Sequence, residues 1–148
     1  MRALVQRVLS AEVTVDEKTV SSIDQGYLIY LGVGKGDETR DIEYLVKKIS
    51  ELRIINDDQG KMNLAVTQSP SEILVVSQFT LYGDTSRGRR PSFNEAASPD
   101  KAAKMCESFS ERLASCTALP VRQGIFGAHM LVTSVNDGPI NFIVESKK

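Results

Sequence analysis

The sequence predicts a single-domain α+β protein, and three observations predict it. Apolar residues recur at helical spacing in two stretches, residues 37–55 and the segment after Ser98. Short runs rich in Val, Leu and Ile surround them and read as strands. The chain has 148 residues, 41% hydrophobic and 25% charged, which is the balance of one globular domain able to bury its own core. Residues 1–148 are therefore treated as one domain, with no linker, repeat or low-complexity tract.

The elements follow in order. Ala3–Leu9 and Glu12–Val15 partly alternate apolar and polar residues, as half-buried strands do. Tyr27-Leu28-Ile29-Tyr30-Leu31 is apolar throughout and predicts a well-buried strand, which Gly32–Gly36 ends. From Asp37 to about Ile55 the period changes. Ile42, Leu45, Val46, Ile49 and Leu52 form one stripe, with Asp37 as the expected N-cap and Asn56–Gly60 as the closing turn. Ile73–Val76 is a second buried strand that runs into Ser77-Gln78-Phe79-Thr80. A loop containing Gly83, Gly88 and Pro91 comes next. Ser98-Pro99-Asp100 then starts a helix with a Ser cap, a Pro in first position and an acid in the first turn. Ala102, Met105, Cys106, Phe109 and Leu113 are its apolar face, which makes Cys106 a core residue. Residues 121–123, 130–135 and 140–144 read as closing strands.

Composition removes several function classes. The net charge of -1 argues against a non-specific nucleic-acid binder, which is strongly basic. Arg87-Gly88-Arg89-Arg90 is the one dense basic run, and on charge alone it fits a solvated loop as well as a phosphate contact. The start of the chain lacks the apolar run of a signal peptide, and no stretch approaches a bilayer span, so the expected location is the cytoplasm, with no membrane partner. Cys106 and Cys116 are then reduced thiols. With one histidine they cannot fill a four-ligand zinc site, and no carboxylate spacing suggests a metal; no metal and no cofactor is expected. Gly32-Val33-Gly34-Lys35-Gly36 lacks the Ser or Thr of a phosphate loop and the glycine spacing of a dinucleotide fingerprint. His129 is the single histidine and has no telling neighbour for a catalytic triad. An enzyme built from this chain must ask little of side chains.

Two short elements remain. Ser77-Gln78-Phe79-Thr80-Leu81 alone is a polar strand end. Asn136-Asp137-Gly138-Pro139 alone is a turn with a trans Gly-Pro bond by default. They occur together, with Met1–Val8 at the start and Gly124-Ile125-Phe126-Gly127-Ala128-His129-Met130 before the second. In this combination the chain resembles the D-aminoacyl-tRNA deacylases from end to end. One departure is visible: Ile140-Asn141 stand where the family commonly has Val-Thr.

The resemblance implies a curled, barrel-like sheet, antiparallel or mixed, with two main helices. It implies hydrolysis of the ester joining a D-amino acid, or glycine, to the 3'-terminal adenosine of tRNA, a proofreading activity. It implies a homodimer with active sites at the subunit interface, where a cis Gly138-Pro139 reaches into the partner's pocket. Ser77, Gln78, Phe79 and Thr80 are then the catalytic element. Arg7 and Asn136 support the Gly-Pro motif, although a solvent-facing charge explains Arg7 as simply. Phe126 and Met130 line an adenosine pocket, although core packing explains them nearly as well. An aminoacyl ester is already activated, so backbone N–H groups of Phe79 and Thr80 can serve as an oxyanion hole. Thr80 has no adjacent base to activate it, and the ribose 2'-OH of the tRNA is the better base for a water. A cis Gly138-Pro139 would turn carbonyl oxygens into the space an L side chain needs, rejecting L-substrates by a clash. Three rivals stand beside this: an RNA-end-binding module without catalysis, a relative that removes L-amino acids, and a Cys106 thiol hydrolase.

Overall fold

The computed structural model describes residues 1–147. Its spine is β1 (Arg2–Val15), which pairs antiparallel with three other strands. The first half of one edge meets β3 (Gly26–Gly32), and the second half meets β2 (Lys18–Ile23). The opposite edge carries β8 (Leu131–Glu145) along its length. β6 (Glu72–Ser77) joins β3 in parallel, and β7 (Val121–Gln123) joins β6 in parallel. The Ser21 hydroxyl on β2 donates to the Gln123 carbonyl on β7 at 2.7 Å, where the mixed sheet curls back on itself. The result is the expected α+β domain: a nearly closed, barrel-like sheet with two main helices.

Strand alternation sorts the core into two faces. Tyr27, Ile29, Ile73 and Val75 point to one side, where α1 (Thr39–Ser50) and α2 (Pro99–Thr117) pack. Leu28, Leu74 and Val76 point to the other, against Val8, Ala11 and Val13 of β1. Both faces of β3 and β6 are covered, which is why these strands read as unbroken apolar runs. Helix α1 presents Ile42, Leu45, Val46 and Ile49 as its stripe, and α2 presents Met105, Cys106, Phe109 and Leu113. Leu45, Ile49, Phe109 and Leu113 are fully buried, each stabilising the domain by about 1.5–3 kcal/mol.

Three local expectations are corrected, and one strand appears that the sequence did not predict. Helix α1 starts at Thr39 with Glu38 as N-cap, because the Asp37 carboxylate is taken by the Gly34 N–H at 2.6 Å and by the Met1 ammonium at 2.8 Å. The helix ends at Ser50, and Asn56–Gly60 is instead the turn of a small hairpin, β4 (Ile55–Asn56) with β5 (Met62–Leu64). The polar segment Lys18–Ile23 is a strand although its sequence carries little apolar signal. The segments 3–9 with 12–15, and 130–135 with 140–144, are each one long strand. Asn136–Pro139 is thus no connecting turn: it lies inside β8. Ser98 stands at the N-cap position with Pro99 first in the helix, as expected, but its hydroxyl makes no capping hydrogen bond.

Candidate active site

The site begins where β6 stops. Ser77 still pairs with Leu31, and the Gln78 N–H still donates to the Leu31 carbonyl at 2.8 Å. The chain then tightens into a single 3-10 turn, Phe79–Tyr82, closed by the Gly83 N–H on the Thr80 carbonyl at 2.9 Å. A turn of this kind leaves its first N–H groups without internal partners. Among the described residues, neither the Phe79 nor the Thr80 N–H has an acceptor. The Thr80 hydroxyl accepts from the Gln78 side-chain amide, and no base touches it.

Beside this turn lies a cavity of about 580 Å³. Ser77, Gln78, Phe79, Phe126 and Met130 all line it, so five residues expected from the sequence meet in one place. Leu31, Val33 and Val76 add apolar lining. Phe79 and Phe126 are 57% and 41% exposed, which leaves aromatic faces free at an open pocket. Thr80 is exposed and lies outside the lining. Phe93 is a participant that sequence reasoning missed. Its ring meets Phe79 edge-on at 4.9 Å between centroids, and it comes from the loop before α2, so no local pattern marks it. His129 also lines the cavity, exposed and without a hydrogen-bond partner among the described residues. Cys106 borders it from α2, but burial pushes its thiol up to about 12, so at neutral pH it is not a thiolate.

Gly138-Pro139 is elsewhere. Gln6 pairs with Asn141 and Val8 with Asn136, so Arg7 alone faces the four residues 137–140. This is a large bulge in β8, and its neck is stitched by the Asn136 side-chain amide, which donates to the Arg7 carbonyl at 2.9 Å and the Ile140 carbonyl at 3.3 Å. The Gly138-Pro139 bond is cis. Gly138 has φ +122°, and a Cβ there would stand 2.5 Å from Ile140 Cγ1 and 2.9 Å from Ile140 N. Ile140 packs against the core and anchors the bulge, while Gly138 and Pro139 themselves are exposed.

Arg7 is not a solvent-facing charge; it is 6% exposed. It donates to the Ile54 carbonyl at 2.9 Å and to Asn56 Oδ1 at 2.8 Å. Its Nε lies 2.9 Å from Asp137 Oδ2 but makes no hydrogen bond, so the contact is an ion pair alone. The guanidinium therefore ties the β4 segment to the residue before Gly138. Arg7 and Asn136 both brace the bulge. Neither Gly138 nor Pro139 lines the cavity of its own chain. No group of three or more His, Cys, Asp or Glu able to hold a metal occurs among the described residues. No helix among them is long and apolar enough to cross a membrane.

Comparison with known proteins places this architecture among enzymes: the chain is a hydrolase acting on ester bonds. The family model described as D-Tyr-tRNA(Tyr) deacylase matches residues 4–145, and the chain belongs to that family. A D-aminoacyl-tRNA deacylase of Thermotoga petrophila is 54% identical over 148 residues, covering 100% of this chain and 99% of the relative. One from Thermosipho melanesiensis is 52% identical with the same coverage. A solved structure titled c-Myc DNA Unwinding Element Binding Protein superposes with a TM-score of 0.95 at 37% identity, covering 100% of both chains.

Proposed function

We propose that this protein removes D-amino acids, and glycine, from the 3'-terminal adenosine of tRNA and so proofreads mischarged tRNA. The observation that carries this reading is the exit of β6, where unpaired Phe79 and Thr80 N–H groups stand beside a cavity rimmed by exposed aromatic rings. Phe126 and Met130 suit the adenine, by stacking and by sulfur contact. The ester carbonyl then lies at the 3-10 turn, where the two N–H groups hold the developing oxyanion. Water is the nucleophile and the ribose 2'-OH is its base. The new bond joins water oxygen to the carbonyl carbon; the ester C–O bond breaks, and the 3'-oxygen takes the proton. Thr80, exposed and held by Gln78, positions substrate.

Chirality is read across two copies of the chain. Among the described residues the β8 edge opposite β1 has no partner strand, and Leu131, Val135, Phe142 and Ile143 are exposed on that strand. A long apolar edge of this kind invites pairing with a second copy. Gly138 and Pro139 sit on the same strand, outside the cavity of their own chain, which suits a motif that acts on a partner. Their backbone carbonyls accept hydrogen bonds from the substrate ammonium and fill the space of an L side chain. D side chains point away, and glycine has nothing to reject.

The decisive assay is incubation of the protein with D-Tyr-tRNA, L-Tyr-tRNA and glycyl-tRNA, following amino-acid release. Release of D-Tyr and glycine with L-Tyr retained is expected. Hydrolysis of the L-form alone points to the L-specific rival, and binding without release points to the RNA-end-binding module.

A further inference from the structure

The Arg87-Gly88-Arg89-Arg90 run sits on a short hairpin with a defined place beside the pocket. The hairpin leaves directly from the 3-10 turn at Gly83. Its base is closed by two backbone hydrogen bonds between Asp84 and Ser92, at 2.8 and 2.9 Å. Its return limb enters at Phe93, which lines the cavity, touches Phe79 and packs against Gly83. That limb is then tied to the segment just after β3, with the Ala97 N–H on the Val33 carbonyl at 2.9 Å and the Lys35 N–H on the Glu95 carbonyl at 3.0 Å. The tip, Gly88, is four residues from each side of the base, at most about 14 Å even if fully extended. Arg87, Arg89 and Arg90 are exposed there, and among the described residues none has a carboxylate within 4.0 Å. The one acid between Gly83 and Ser92, Asp84, accepts from the Ser86 N–H at 2.8 Å in the turn. Three guanidiniums with no carboxylate partner thus stand on a short arm whose two ends adjoin the pocket at Phe79 and Phe93, in a chain whose net charge is -1.

We propose that Arg87, Arg89 and Arg90 clamp the phosphates of the single-stranded 3' end of the RNA substrate, upstream of the ester. This rests on the deacylase reading for the identity of the RNA, and it assigns a separate job to a separate element. The cavity holds the terminal nucleoside and the amino acid; the arm holds the backbone that leads to them. Arginine suits phosphate because its planar fork donates in pairs. The clamp explains how a nearly neutral protein selects an RNA end: its one dense basic run stands on the arm beside the pocket.

The test compares two esters and one uncharged RNA. The triple variant Arg87→Gln/Arg89→Gln/Arg90→Gln is measured on D-tyrosyl-tRNA and on 3'-O-D-tyrosyl-adenosine, which lacks the upstream phosphates. Binding of an uncharged minihelix ending in CCA is followed by fluorescence anisotropy between 50 and 200 mM salt, conditions in which phosphate contacts dominate. On the tRNA, KM should rise at least about tenfold with kcat unchanged; on the adenosine ester nothing should change. The slope of log affinity against log salt should become shallower by about 2, since each phosphate that is no longer neutralised removes about 0.7. The Arg→Lys triple variant should restore most of both. Equal losses on the two esters, or unchanged minihelix affinity and slope, would overturn the clamp. If the parent protein cleaves neither ester, the deacylase reading fails, and the minihelix data still decide the clamp by themselves.

Discussion

In the proposed mechanism Thr80 positions substrate through its hydroxyl and Gly138 acts through its backbone. Among the described residues the only side-chain partner of the Thr80 hydroxyl is Gln78, which donates to it and cannot take its proton. Thr80→Ala should therefore keep turnover of D-Tyr-tRNA within about tenfold in single-turnover assays; a loss on the order of 10⁶ is what removal of a true nucleophile produces. Gly138 is held by geometry. Its φ of +122° and an Ile140 N that would stand 2.9 Å from an added methyl leave no room for a Cβ, because backbone cannot step aside as a side chain can. Gly138→Ala should cost about 1–3 kcal/mol in stability, seen in thermal denaturation, and should reduce D-Tyr-tRNA hydrolysis more than that small loss of folded protein explains. Unchanged activity and an unchanged D-to-L ratio would remove Gly138 from the gate.

At the scale of elements, the start of α1 is fastened to both ends of β-structure by buried charge. Asp41 caps the helix through the Glu38 N–H at 2.8 Å and accepts from the Ser146 hydroxyl at 2.7 Å. Burial alone would raise its pKa, but these hydrogen bonds and Lys147 outweigh burial and bring it down from 3.8 to about 2. Burial likewise works to raise Asp37, and the Met1 ammonium, the Gly34 N–H and Lys147 together lower it. Both carboxylates are more acidic folded than unfolded. Their stabilisation is present above pH 3.8 and is lost as pH falls through each lowered pKa, about 2 for Asp41. Denaturant melts from pH 7 to 2 should show that loss, and Asp41→Asn should be less stable by about 1 kcal/mol at pH 7, with the difference from the parent shrinking between pH 4 and 2. A difference constant across that window would show that Asp41 contributes by shape and not by charge.

At the scale of the whole molecule, β8 is at once the far edge of the sheet, the carrier of the Gly138-Pro139 bulge and the most apolar exposed strand. Val135 and Ile143 are 51% and 69% exposed, so lysine at either position leaves the fold of one chain intact. Val135→Lys/Ile143→Lys should sediment as a monomer and lose about a hundredfold in D-Tyr-tRNA hydrolysis, the scale expected when a positioning group is withdrawn. A fully active monomer would reject the action of Gly138-Pro139 on a partner.

Much of this protein is legible in local sequence pattern. Unbroken apolar runs marked β3 and β6 because both faces of those strands are covered, and the stripes of α1 and α2 marked their packing faces. Ser77–Phe79 could be placed because Ile73–Val76 is a strand that must end somewhere, and the motif sits at that end. Other features had no local cause to read. Lys18–Ile23 is a strand through pairing with β1, not through its own composition. Asp37 left the helix cap for the Met1 ammonium, at the far end of β1 in the sequence. Phe93 entered the pocket through the fold of a loop. Asn136–Pro139 has the composition of a turn, yet β1 runs past it on both sides and holds it inside one strand as a bulge. Local propensity acts between near neighbours, whereas pairing, burial and charge act between residues brought together in space. It therefore took the folded chain to separate the two motifs, one lining the pocket and the other standing on the exposed edge.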